Sequence, residues 1–159
     1  SSGQEAYSVA IALLEELQVV GKLNAEILGT DLVPQVVSKA KEGIYTQFEV
    51  QRGMPVQLML KYFDQKDESW LIKPQIRKHT KFQVHNLLNS YQKLGKFDLI
   101  LCRNVLSYFS EEMRIEILDK LVTQLEPYGT LILGTQEMPP SSYKKLKPLD
   151  KIPGIFEKI

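Results

Sequence analysis

Arg103, Asn104 and Tyr108 are the side chains of this sequence best placed to grip a polar ligand. A guanidinium can hold a carboxylate by two parallel hydrogen bonds in a fixed plane. An amide both donates and accepts, and a phenol can align a reacting oxygen. All three lie in one stretch, FDLILCRNVLSYF, residues 97–109. A short apolar run, Leu99 to Leu101, precedes them and ends at Cys102-Arg103-Asn104. Such a run reads as a buried strand that delivers side chains at its C-terminal end. In open α/β sheets that is the edge where ligands bind.

The elements that must position these residues alternate along the chain. Val9, Ile11, Ala12, Leu13, Leu14 and Leu17 recur at helical spacing directly after the Ser1-Ser2-Gly3 turn. Residues 25–30, AEILGT, read as a short buried strand ending at Asp31. Pro34 suits a first helical turn, and Gly43 ends that helix. Residues 44–84 fit no regular α/β repeat and are expected to form an inserted β-subdomain, with short strands at Trp70-Leu71-Ile72 and Thr80 to Val84. Phe97 to Cys102 is the next core strand. Ser110 caps a helix whose first turn is acidic and whose apolar face is Ile115, Leu118, Leu121, Val122 and Leu125. Pro127-Tyr128-Gly129 is expected to end it, Thr130 to Gly134 to form a buried strand, and Gly154 to Ile159 a closing edge strand. Strand–helix alternation predicts an α/β, doubly wound sheet with right-handed crossovers. Its core is assigned to residues 1–43 and 85–159.

Composition sets the bounds. At 159 residues one domain is expected, with 43% hydrophobic and 25% charged residues, both ordinary globular values. A net charge of +1 gives no bulk argument for nucleic acid or an acidic membrane. The single cysteine, Cys102, excludes an internal disulfide and argues for a reducing compartment, so the cytoplasm is the expected location. Inside a buried strand it reads as a small hydrophobe. No apolar run is long enough to insert in a membrane. His79 and His85 are too few and too far apart for a metal site, and no metal is expected. Trp70 reads as a packing residue. Arg77, Lys78 and Lys81 form a modest basic patch, ordinarily solvated surface, that can also steer an acidic helix.

Two acids narrow the ligand. Asp31, at a strand end, can accept hydrogen bonds from both ribose hydroxyls of an adenosine, a feature shared by nicotinamide dinucleotides and S-adenosylmethionine. Glu5, at the head of the first helix, repels a pyrophosphate and suits a ligand carrying positive charge, such as an amino group or a sulfonium. A nicotinamide-dependent oxidoreductase would also need a phosphate-cradling G-x-G-x-x-G loop, which this sequence does not contain.

The stretches SSGQEAYS, LGTD, KEGIY, HNLLN, FDLILCRNVLSYF and LEPYGTLILGTQE together resemble the catalytic domain of the CheR family of chemotaxis receptor methyltransferases. That resemblance implies a Rossmann-like S-adenosylmethionine-dependent methyltransferase fold with a small inserted β-subdomain. It also implies methyl transfer to side-chain carboxylates of glutamates on the acidic cytoplasmic helices of receptors. Carried across, Glu5 corresponds to the acidic ligand near the methionine amino group and Asp31 to the ribose-binding acid. Asn86 and Leu87 correspond to the pair along the adenine. Arg103 and Asn104 correspond to the pair beneath the methionine end, and Tyr108 to the tyrosine beside the transferred methyl. In some members the β-subdomain docks a receptor tail peptide. Ala6, Gln4 and Ser107 depart from the family's Pro, Glu and Ile, and Thr135-Gln136-Glu137 replaces its HSE. The family's first central strand and N-terminal helical domain, which also touches the cofactor, would precede Ser1. The alternative is a degenerate methyltransferase domain that serves as a cofactor-binding or scaffold module.

Overall fold

The computed structural model describes residues 2–17, 24–149 and 152–159. It divides into two units, Ser1–Asn86 and Leu87–Ile159.

The first unit runs α1 (Gln4–Leu17), β1 (Ile27–Asp31), α2 (Pro34–Glu42), β2 (Ile44–Thr46), α3 (Gln47–Gln51), α4 (Val56–Tyr62), β3 (Phe63–Lys66), β4 (Ser69–Ile72), α5 (Pro74–Arg77) and β5 (Thr80–Val84). The expected helix at the start is present. Its Tyr7, Ala10 and Ile11 are buried, while Ala12 faces solvent. Ser1 and the side chain of Leu17 lie outside the described residues. Pro34 opens α2 as expected, and Gly43 closes it at φ 66°, donating its N–H to the Lys39 carbonyl at 3.1 Å. A capping box between Thr46 and Glu49 starts α3.

Among the described residues this unit carries two separate sheets. Strands β1 and β5 pair in parallel, with Asp31 opposite Val84. Strands β2, β4 and β3 form an antiparallel sheet in that order. Within the expected insert, therefore, antiparallel pairing covers only residues 44–72, and Thr80–Val84 is instead the parallel partner of β1. The segment that reaches it is short, Pro-led α5, so proximity in sequence hid a long-range pairing. One apolar cluster joins Tyr7, Ala10 and Ile11 of α1 to Tyr45, Phe63, Trp70 and Ile72 of the antiparallel sheet. Trp70 is buried as expected, its indole N–H donating to Gln47 Oε1. His79 Nδ1 lies 3.2 Å from the Ala25 carbonyl. Arg77 donates to the Lys41 carbonyl at 2.8 Å, and Lys81 pairs with Glu26 at the surface.

The second unit runs β6 (Phe97–Cys102), α6 (Glu111–Gln124), β7 (Leu125–Leu133), β8 (Leu146–Pro148) and β9 (Ile155–Lys158). Its sheet order is β6-β7-β9-β8, with β6 parallel to β7 and the other pairs antiparallel. Ser110 caps α6, accepting the Met113 N–H at 3.4 Å. Ile117, Leu118, Leu121 and Val122 bury its inner face against Cys102, Leu131, Leu133 and Phe156. Burying a side chain such as Ile117 or Leu118 stabilises by roughly 1.5–3 kcal/mol.

Three expectations shift here. Strand β6 is bonded to β7 alone among the described residues, so Leu99 is 38% exposed, where a fully buried strand was expected. Helix α6 stops at Gln124, and Leu125 to Gly129 belong to β7 as an irregular stretch across from Phe97–Leu99, with Tyr128 at φ 62°. Strand β9 is interior and β8 is the edge.

Candidate functional site

Glu5, Asp31 and Asn86 belong to the first unit. Gly3 turns the chain into α1 at φ 98°, and its carbonyl accepts the Tyr7 N–H at 3.0 Å, the first helical bond. Glu5 therefore sits half-buried in the first turn of α1. That turn lies against β1, since a Cβ on Gly29 would come within 3.7 Å of Ala6 Cβ. Tyr7 and Tyr45 hold it in place. The Tyr7 hydroxyl donates to the Ala40 carbonyl and the Tyr45 hydroxyl to the Ser2 carbonyl, each at 2.8 Å.

Asp31 is the last residue of β1, as expected. Its Oδ1 accepts the Val33 N–H at 3.0 Å, so the carboxylate also shapes the turn into α2. Its carbonyl accepts the His85 N–H at 2.9 Å, which ties the chain after β5 to the end of β1. Asn86 follows directly. Asp31 and Asn86 thus lie at the carboxyl end of the parallel pair, the end at which open α/β sheets bind ligands, while Glu5 sits in the α1 turn that packs on β1.

Leu87, Arg103, Asn104 and Tyr108 belong to the second unit. Leu87 packs against the apolar cluster under α6, and its carbonyl accepts the Tyr91 hydroxyl at 2.7 Å. Burial pushes the Tyr91 phenol well above its ordinary range. Strand β6 ends at buried Cys102, and the next two residues, Arg103 and Asn104, are exposed. Asn104 takes the left-handed conformation at φ 57°, which asparagine tolerates better than most residues. Leu106 then dips into the core and anchors a single turn, Leu106–Tyr108, that leaves Tyr108 85% exposed. From α6, Arg114 Nε donates to the Phe109 carbonyl at 2.8 Å and braces the far end of this loop.

A residue outside the expected set organises the loop. Glu137 lies just past β7 and is 8% exposed. Its Oε2 accepts the N–H of Asn104 at 2.7 Å and of Gly134 at 2.8 Å. Its Oε1 accepts the N–H of Leu106 at 2.8 Å and of Ser107 at 3.3 Å. Burial opposes the charge, but the backbone donors at Gly134, Asn104, Ser107 and Leu106 outweigh it and hold the carboxyl below its ordinary value. In the sequence Glu137 is an acid three residues after the glycine that ends the LILG strand, and it closes the LEPYGTLILGTQE stretch at the position of the Glu in HSE. Gly134 is required there, because a Cβ would meet Glu137 Oε2 at 2.7 Å and Asn104 Nδ2 at 3.0 Å.

Chemically, the first unit offers two carboxylates at a strand end and a helix start, and the second a braced loop bearing a guanidinium, an amide and an exposed phenol. The chain is 42% identical over 141 residues to "Chemotaxis protein methyltransferase Cher2" of Pseudomonas putida, an alignment covering 86% of this chain and 51% of that protein. It is 43% identical over 141 residues to "Chemotaxis protein methyltransferase 1" of Pseudomonas aeruginosa, covering 86% and 52%. Against the "Chemotaxis protein methyltransferase" of Vibrio anguillarum it is 37% identical over 162 residues, covering 100% and 59%. The chain thus spans a little over half the length of these curated relatives. The signature described as "CheR methyltransferase, SAM binding domain" matches residues 1–152, and the chain belongs to that family.

Proposed function

We propose that this domain binds S-adenosylmethionine and, in its full-length protein, directs the methyl group to glutamate side-chain carboxylates of chemotaxis receptors. The observation that carries this reading is the Arg103–Tyr108 loop, fixed from beneath by Glu137 and exposed at its tip. The donor set fits the cofactor. An ammonium, a sulfonium and a ribose diol call for acceptors, and Glu5 supplies a carboxylate in the first turn of α1 and Asp31 one at the carboxyl end of β1. When bound, the cofactor supplies an electrophilic methyl group on a sulfonium.

Glu5 accepts hydrogen bonds from the amino group, and Asp31 from the ribose hydroxyls. Asn86 and Leu87 flank the adenine. Asn104 and Arg103 serve the methionine end, and Arg103 also orients the incoming carboxylate in one plane. A receptor glutamate is already ionised at neutral pH, so the site needs no general base. Its task is to align the carboxylate and remove its water. Tyr108, standing out from the loop, guides the nucleophile or the methyl. Residues 44–72, which carry the antiparallel pairing, are read as the inserted subdomain, and the setting is the cytoplasm, beside an acidic receptor helix. Among the described residues no helix is long and apolar enough to cross a membrane.

Calorimetric titration of the full-length protein with S-adenosylhomocysteine and with NAD tests the ligand. Radiolabelled methyl transfer to receptor-enriched membranes tests the reaction. Tight binding of S-adenosylhomocysteine without any transfer would instead favour a scaffold module.

A further inference from the structure

We propose that Glu137 is the positioning residue of the 103–108 loop: its carboxylate sets the conformation in which Arg103, Asn104 and Tyr108 are presented, and turnover depends on it. The proposal rests on the methyl-transfer reading for its consequence, but its geometry stands apart from that reading.

A carboxylate offers about four lone-pair positions in its plane. In Glu137 all are directed at backbone N–H groups, two on each oxygen. Glu137 therefore has no capacity left for a substrate or cofactor, and it acts through the loop. The four donors come from two separate segments, the end of β7 at Gly134 and the loop at Asn104, Leu106 and Ser107. One side chain thus ties the loop to the sheet. The tie also fixes the backbone of Asn104, a left-handed residue two positions past the end of β6, whose N–H reaches Glu137 Oε2 at 2.7 Å. Leu106 enters the core and Tyr108 leaves it within one turn, so rotation of this turn would swing the phenol away from its place. A short side chain cannot substitute, and a neutral one cannot either. The amide of a glutamine has one acceptor oxygen, so it can satisfy one pair of donors while its NH₂ opposes the other pair.

The test uses Glu137→Gln in the full-length protein, which conserves volume. Thermal unfolding, S-adenosylhomocysteine binding, kcat for methyl transfer and amide hydrogen exchange are measured against wild type. The expected result is accelerated exchange at Asn104, Leu106 and Ser107 and a fall in kcat of at least tenfold in protein that is still folded at the assay temperature. Combined with Tyr108→Phe, the two effects are expected to be far from additive, because one residue works through the other. Should Glu137→Gln fail to fold, Gly134→Ala keeps the charge and crowds the same carboxylate, and the same measurements apply. A lowered melting temperature with kcat per folded molecule within twofold of wild type would overturn the proposal, as would unchanged exchange or strict additivity. A wild-type protein that transfers no methyl group would sink the proposed reaction alone, and the exchange data would then decide the role of Glu137.

Discussion

Replacing Gly3 by alanine is expected to unseat the first turn of α1. Gly3 adopts φ 98°, where an L side chain is strained, at a cost of roughly 1–3 kcal/mol. The new Cβ would also meet the Tyr45 hydroxyl at 2.8 Å, Ala40 Cβ at 3.0 Å and Ala40 Cα at 3.1 Å. Overpacking of this kind costs about 1–3 kcal/mol. Neither neighbour yields easily. The Tyr45 hydroxyl is held by the Ser2 carbonyl, and Ala40 is fully buried in α2 with its carbonyl engaged by Tyr7. Together the terms give roughly 2–5 kcal/mol after partial relaxation, a fall in melting temperature of about 5–15 °C for a domain of this size. In the proposed reading Glu5 holds the cofactor's amino group, so its displacement is expected to lower S-adenosylhomocysteine affinity on the order of tenfold. Differential scanning calorimetry and isothermal titration of the full-length protein measure both. A Tyr45→Phe background separates the contributions, since it removes the hydroxyl contact and leaves the Ala40 contacts. The double variant should recover only part of the loss. A melting temperature within one or two degrees of wild type for Gly3→Ala would refute the reasoning, because neither the strain nor the crowding could then be real.

Other outcomes follow from the same geometry. Arg103→Ala is expected to lower kcat on the order of a hundredfold while changing S-adenosylhomocysteine affinity far less; equal losses in both, measured by turnover and calorimetry, would contradict its assignment. Gly43→Ala places a Cβ 2.4 Å from Ile72 Cγ2 at φ 66° and should destabilise by roughly 2–4 kcal/mol in urea titration. The Glu137 carboxyl is held below its ordinary value of 4.5, so its contribution is fully present above that pH and is lost as pH falls through the lower folded value. Unfolding free energy measured from pH 7 to pH 3 should therefore fall less steeply with acid in Glu137→Gln than in wild type.

Where local chemistry dictates the outcome, the sequence was readable. Pro34 and Gly43 bracket α2, Ser110 caps α6, and the apolar run of 97–102 is a strand that ends where Arg103 begins. Asp31 likewise stands at a strand end. What escaped was set by partners distant in sequence. Thr80–Val84 looks the same on paper whether it joins the local hairpin or pairs with β1, because β-propensity does not name a neighbour. Leu146-Lys147-Pro148 is too short and too polar to show a period, which left β8 unseen and made β9 look like an edge. The irregular start of β7 hid behind turn residues, since Pro127-Tyr128-Gly129 also makes a good helix stop. Glu137 was overlooked for a similar reason. Its role exists only once two loops meet, and no periodicity encodes four amides converging on one carboxylate.

Cys102 is the chain's single thiol, buried at the final rung of β6 and adjacent to Arg103. An alkylating dye can react with it only when that rung comes undone. This domain thus carries its own stopwatch for breathing at the tip of the strand, readable without engineering in another thiol.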